Sequence, residues 1–278
     1  MSLPLLSQKL EYTRVQSPSS INTFRQCPRK YFYQYIEKLP SRPSIHLIRG
    51  QIVHSALEEF FTINPNALST DFFEFELQMI LIELFTKHWT KNKDQLRCLG
   101  LSDDQLSFYR IETITMLKSW HTQFVKKLQL GMKELPLPAA YQKLTPQTEQ
   151  HFKSEELGIQ GYIDAIHQDE DGTRLMDYKT SSKKDFSEDY RLQLGIYALL
   201  YKLKHGTLPK SVGIDFLRHG EKHIDVTSDL LDFAFNEIVY VHSCTKSVDM
   251  KEYSRKPSGL CKWSSGQCDF YETCKPYG

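Results

Sequence analysis

A chain of 278 residues, 40% hydrophobic and 25% charged, is long enough to bury a sizeable core and has an ordinary globular composition. Its formal charge of +1 excludes a global basic field as the means of attracting an anionic partner, although local carboxylates can mask lysines used elsewhere. No apolar run approaches the roughly 20 residues of a membrane span, and MSLPLLSQKLEYTRVQ lacks a signal-peptide core. An intracellular setting is therefore expected, in which the six cysteines stay out of disulfides.

Residues 1–16 read as a short arm. Ser17 then caps a helix carrying Ile21, Phe24, Tyr31, Phe32 and Tyr35 at mainly helical spacings. Cys27 and Pro28 interrupt it, and a lone cysteine there reads as a buried thiol beside a kink. Arg25, Arg29 and Lys30 are either a solvated face or phosphate contacts. The spacing predicts a second helix over 47–61, with His54 inside RGQIVHSALEEFF; a single histidine on such a helix is most simply a core residue. Two more helices are predicted over 71–89 and 102–130, the latter opening on a Ser102…Gln105 capping box. Neither carries evident chemistry, and the pair reads as a helical lobe. Leu135-Pro-Leu-Pro and Thr145-Pro mark a connection out of it.

Gln147–Lys153 is a candidate strand. Ile159–Ile166 and Thr173–Lys179 are two more, joined by an acidic turn ending at Gly172, a hairpin signal. Asp177 and Lys179 leave the same face of their strand, and Asp164 lies on its partner. Read alone, this is a hairpin with solvated charges. Two carboxylates beside a lysine are also what a hard cation and an attacking water need. A helix over 185–204 follows, with Gln193 and Tyr197 one turn apart. Strands over 211–217 and 222–226 and a helix over 227–244 complete an α/β order.

The last segment holds Cys261, Cys268 and Cys274 as C-x6-C-x5-C, a density that points to metal. The C-x2-C pairs of zinc knuckles are absent, and an iron–sulfur cubane needs four thiolates. Cys98 and Cys244 have no such context and read as buried thiols. Lys251, Arg255 and Lys256 just before the segment are candidates to line a nucleic-acid path.

Gly161-x-x-Asp164, Asp177-x-Lys179 and Gln193-x-x-x-Tyr197 come in one order within a short stretch. This resembles the PD-(D/E)XK nuclease superfamily, specifically its RecB-like branch with GxxD, (D/E)xK and QxxxY motifs. The resemblance implies a restriction-endonuclease-like α/β core, a central mixed sheet flanked by helices. It implies Asp164 and Asp177 as metal ligands, Lys179 as the catalytic lysine, Gln193 and Tyr197 as the motif that follows, and Glu149 as the acid of the first motif. Gly50-x-x-x-His54 is similar to the family's helical histidine, which makes His54 a third ligand for Mg²⁺ or Mn²⁺. S-x4-F-x2-CPRKYxY around Cys27 resembles the iron–sulfur members. On that likeness Cys27, Cys261, Cys268 and Cys274 hold a 4Fe-4S cluster joining the two ends of the chain, although relatives more often space the late cysteines C-x2-C-x5-C.

The expected organisation is residues 1–61 with the first cysteine and the histidine helix, 62–146 as the lobe, 147–244 as the nuclease core and 245–278 as the cysteine segment. The expected activity is that of a divalent-metal-dependent DNA exonuclease in repair, recombination, CRISPR adaptation or related processing. The implied partners are DNA and a helicase or a recombination or adaptation protein, because no GxxxxGK[ST] motor motif is present. The alternatives are a non-catalytic DNA-end-binding module and, more weakly, a zinc-stabilised scaffold.

Overall fold

The computed structural model describes residues 10–181, 184–264 and 266–276. The first nine residues of the expected arm lie outside them. Residues 10–16 are not free. Their backbone bonds to Glu156 and Gly158, and Gln16 pairs with Ile159 beside the sheet. Ser17 caps α1 (Pro18–Gln26), whose capping box is closed by Ser20. The helix breaks at Cys27, which is extended at φ −162°. Pro28 has no N–H to donate, so it opens a new short helix, α2 (Pro28–Tyr31), rather than continuing the old one. The chain then runs into a π-helical turn over Phe32–Ile36.

The next helices are α3 (Ile45–Phe60), α4 (Phe73–Lys91), the short α5 (Lys93–Arg97) and α6 (Asp103–Gly131). The segment read as a proline-marked connection contains a further helix, α7 (Leu137–Leu144), with proline in its first turn. Five strands follow as a single mixed sheet in the order β1 (Gln147–Ser154), β2 (Ile159–Asp169), β3 (Gly172–Lys179), β4 (Ser211–Phe216) and β5 (Gly220–Asp225). Only β3 and β4 are parallel, and α8 (Glu188–His205) crosses between them. The hairpin turn ends on Gly172 at φ 124°, a conformation that disfavours side chains. After α9 (Ser228–Cys244), a two-residue ladder, β6 (Lys262–Trp263) with β7 (Gly266–Gln267), and a last turn, α10 (Tyr271–Cys274), close the chain.

Period-two alternation gives the sheet two apolar faces. Leu175, Val212 and Ile214 pack with α1, α8 and α9, whereas Met176, Tyr178 and Leu217 pack with α3, α4 and α6. A Cβ at Gly195 would lie 2.9 Å from the Ala234 Cβ and 3.0 Å from the Leu230 carbonyl, so glycine is what lets α8 sit this close to α9. The chain ends meet through aromatic rings. Tyr253 is fully buried, stacks on Tyr31 at 6.2 Å and meets Phe32 at 5.1 Å, while Arg29 Nε donates to its carbonyl at 2.7 Å.

Asp215 of β4 is buried; one oxygen accepts from Trp120 Nε1 at 3.0 Å and the other has no hydrogen-bond partner among the described residues. Burial, aided by Glu221, pushes this carboxyl up to about 7 against the opposing pull of Lys127. The raised value means a stabilising contribution that is complete below the unfolded value of 3.8 and lost as pH rises through about 7. Thermal stability should therefore fall between pH 5 and pH 8 by more in the native chain than in Asp215→Asn. Parallel melting curves for the two proteins would count against this assignment.

Candidate metal centre

His54 is half-buried at the edge of the apolar face of α3, while Ile52, Val53, Ala56 and Leu57 face the core. Its Nδ1 is 3.6 Å from Glu149 Oε1 and 3.4 Å from Asp164 Oδ1. One ligand atom from each of the three residues falls within 4.8 Å of the others, the single such group among the described residues. Each donor is aimed by a second contact. His54 Nε2–H donates to the Tyr178 carbonyl at 3.0 Å, which leaves Nδ1 facing the carboxylates. Asp164 Oδ2 accepts from the Tyr178 N–H at 2.7 Å, leaving Oδ1 for the centre. Glu149 sits at φ 49°, a left-handed strain of order 1–3 kcal/mol at the point where β1 passes Asp164.

Asp177 stands beside this group, on the α8 side of β3. Gln193 Nε2 donates to its Oδ1 at 2.7 Å and to the Tyr197 hydroxyl at 2.8 Å, so the two residues read as one motif meet on the same carboxylate. Asp177 Oδ2 is buried without a hydrogen bond of good geometry, and Lys179 Nζ lies 2.5 Å from it. Burial raises the Asp177 carboxyl, opposed first by Lys179. Burial works against the Lys179 ammonium, but Asp177 outweighs it and the net shift is upward, so the lysine is held as a cation. Burial likewise disfavours a charged His54, yet its bonds to Asp164 and Glu149 lift it to about 10. Two convergent carboxylates and an imidazole, with the Asp177 carboxylate nearby, fit a hard divalent cation.

Other residues enter that periodicity does not reveal. Arg49, buried one turn before His54, forms an ion pair with Glu112 of α6 and reaches the Thr180 carbonyl at 3.4 Å. Arg218 bonds the other Glu112 oxygen at 2.8 Å. The helix read as having no chemistry thus anchors the residue that follows Lys179. The only hint in the sequence is an arginine on an otherwise apolar helical face.

Cys27, Cys261, Cys268 and Cys274 line one cavity of about 30 Å³ between α1, α2 and the last turn. All four are free thiols, and no three lie at the spacing of a single shared ion among the described residues. Burial raises the Cys268 and Cys274 thiols, and the neighbouring Cys27 adds to both shifts. Cys98, expected to be buried, is exposed because the chain turns out of α5 there, and Cys244 is half-buried against the sheet core. Arg25 pairs with Glu188 and Glu237, and Arg29 holds Tyr253, so both are engaged within the protein. Lys256 donates to the Arg25 carbonyl at 3.1 Å and lines the cysteine cavity.

A buried Asp-x-Lys strand beside a histidine–glutamate–aspartate group, on a mixed sheet flanked by helices, can hold a divalent cation next to a lysine. The family model of the PD-(D/E)XK nuclease superfamily matches residues 16–275, and the chain belongs to that superfamily. It is 23% identical over 221 residues to the gene 69 protein of Mycobacterium phage D29, covering 75% of this chain and 76% of that one. A crystal structure of a presumed exonuclease from Eubacterium rectale aligns with a TM-score of 0.49 and 13% identity over 94% of this chain and 90% of that one.

Proposed function

We propose that the protein is a divalent-metal-dependent DNA exonuclease of the RecB-like type, with Asp164, Asp177, Glu149 and His54 around the ion and Lys179 as the catalytic lysine. The observation that carries this reading is the convergence of His54, Glu149 and Asp164 beside the Asp177–Lys179 pair. Bound there, the ion would polarise a phosphoryl oxygen and lower the pKa of a water. Asp164 and His54 present the atoms left free by their bonds to Tyr178. Gln193 fixes the rotamer of Asp177 and, through it, the place of Lys179. As a cation, Lys179 offsets the negative charge that develops on phosphate and donates to the incoming water rather than removing its proton. The intact lysine–aspartate pair favours catalysis over a DNA-end-binding module, which has no use for it.

Cys27, Cys261, Cys268 and Cys274 match a 4Fe-4S cluster in number and donor type. Such a cluster holds its thiolates farther apart than one shared ion would, and it supplies a covalent brace between the chain ends. Anaerobic purification followed by an iron count, a visible spectrum and cleavage of end-labelled DNA with Mn²⁺ or Mg²⁺ tests both halves. Divalent-dependent release of nucleotides from ends is expected, and DNA bound but left whole would favour the end-binding module.

His54→Ala should raise the Mn²⁺ concentration for half-maximal cleavage by roughly 10-fold or more, since even outer partners of a metal ligand cost that much. A variant that only melts earlier, with an unchanged Mn²⁺ requirement, would return His54 to the core.

A further inference from the structure

Beside the metal group lies an open cleft of about 560 Å³ that runs along the exposed face of α3, from His46 through Gly50 and His54 to Glu58. The twelve steps of helical rise from His46 to Glu58 make this face about 18 Å long. The opposite wall is built by Glu149, Tyr162 and Lys179. Tyr162 sits in β2 two residues before Asp164 and is 57% exposed, while both its strand neighbours face inward. Its ring is not loose. The paired residue of β1, His151, lies against it with centroids 4.6 Å apart and planes at 32°.

An aromatic ring supported from behind and left bare in front is a surface for another flat ring. Gly50 is the complementary oddity. It interrupts the middle of a sixteen-residue helix, where glycine is disfavoured, yet a Cβ built there meets nothing within 4 Å. Packing does not call for glycine at this position, and what its bare backbone preserves is room in the cleft.

Resting on the nuclease reading above, we infer that this cleft takes a single, unpaired strand, with one base stacked on Tyr162 next to the nucleotide being cut. Within a duplex the bases already stack on one another, so a ring in the wall of the cleft meets the face of an internal base only where the strand is open. Aromatic stacking tolerates any base, which suits degradation without sequence preference.

Tyr162→Ala, Tyr162→Phe and Gly50→Ala should be compared on single-stranded and blunt duplex DNA in Mn²⁺. Tyr162→Ala should lower kcat/KM on the single strand by roughly 10-fold, the order of one lost base–aromatic stack, with its Mn²⁺ requirement unchanged. Tyr162→Phe, which keeps the ring face, should behave as the native chain. Gly50→Ala should melt at a higher temperature and yet cleave single strands several-fold more slowly. Binding is read separately from cleavage through 2-aminopurine at the strand end, with Ca²⁺ in place of Mn²⁺. Its fluorescence should be quenched by the native chain and by Tyr162→Phe, but much less by Tyr162→Ala. Equal quenching and equal rates for Tyr162→Ala and the native chain would overturn the inference, as would a Tyr162→Phe loss as large as that of alanine. A native chain that binds and quenches without ever cleaving would refute the nuclease and leave the stacking surface standing.

Discussion

Asp164→Asn and Asp177→Asn should each lower divalent-dependent DNA cleavage by roughly 1,000-fold or more, the upper range for losing one electrostatic partner at a reacting centre. Asparagine is the informative replacement. Asp164 Oδ2 accepts the buried Tyr178 N–H, and alanine would strand that donor at a cost of about 1–3 kcal/mol, mixing folding with chemistry. Among the described residues Asp177 is the carboxylate paired with Lys179, and alanine would leave a poorly solvated ammonium uncompensated. An amide keeps the shape and the acceptor at both places and removes the charge. Lys179→Ala should also abolish most turnover but leave Mn²⁺ affinity near the native value, because the ammonium neutralises Asp177 rather than ligating the ion. Folded asparagine variants that cleave at the native rate would remove both aspartates from the reaction.

Replacing Cys27, Cys261, Cys268 or Cys274 with serine should bleach the protein, lower its iron content and lower its melting temperature. Binding energy for a metal group is folding energy wherever the unfolded chain cannot bind it. In a chain this long each kcal/mol lost is roughly 2–4 °C. The fold should nevertheless persist at moderate temperature, because the stack of Tyr253 on Tyr31 and the bond from Arg29 to the Tyr253 carbonyl also join the chain ends. Cys98→Ser and Cys244→Ser should keep native iron, since neither thiol lines the shared cavity. Zinc without iron in protein purified away from oxygen would overturn the cluster and leave the nuclease reading untouched. Iron lost equally from the Cys98 variant would mean a different set of four ligands.

The β2–β3 hairpin could be read from the sequence because side-chain alternation has a period of two and Gly172 marks its turn. That alone puts Asp177 and Lys179 on one face and Asp164 on the neighbouring strand. Spacing along α8 likewise put Gln193 and Tyr197 together, although not that they would share the Asp177 carboxylate. Residues joined only by tertiary packing were out of reach. Glu112 meets Arg49 and Arg218 across 63 and 106 positions, and Trp120 meets Asp215 across 95. Nothing local in α6 announces those partners. Local rules misled where proline has two meanings: Pro136 and Pro138 read as a linker, yet proline in a first helical turn opens α7 at no cost. The left-handed backbone of Glu149 had no signal either, since that conformation is ordinarily announced by glycine or asparagine.

The proposed chemistry needs one ion between α3, β1 and β2. Anomalous scattering from crystals of the protein grown with Mn²⁺ tests it most directly. The account predicts a manganese peak within bonding distance of His54 Nδ1, Asp164 Oδ1 and Glu149, with Asp177 Oδ2 turned toward it. A peak elsewhere with these side chains still bonded only to one another, or none at Mn²⁺ concentrations that support cleavage, would contradict it.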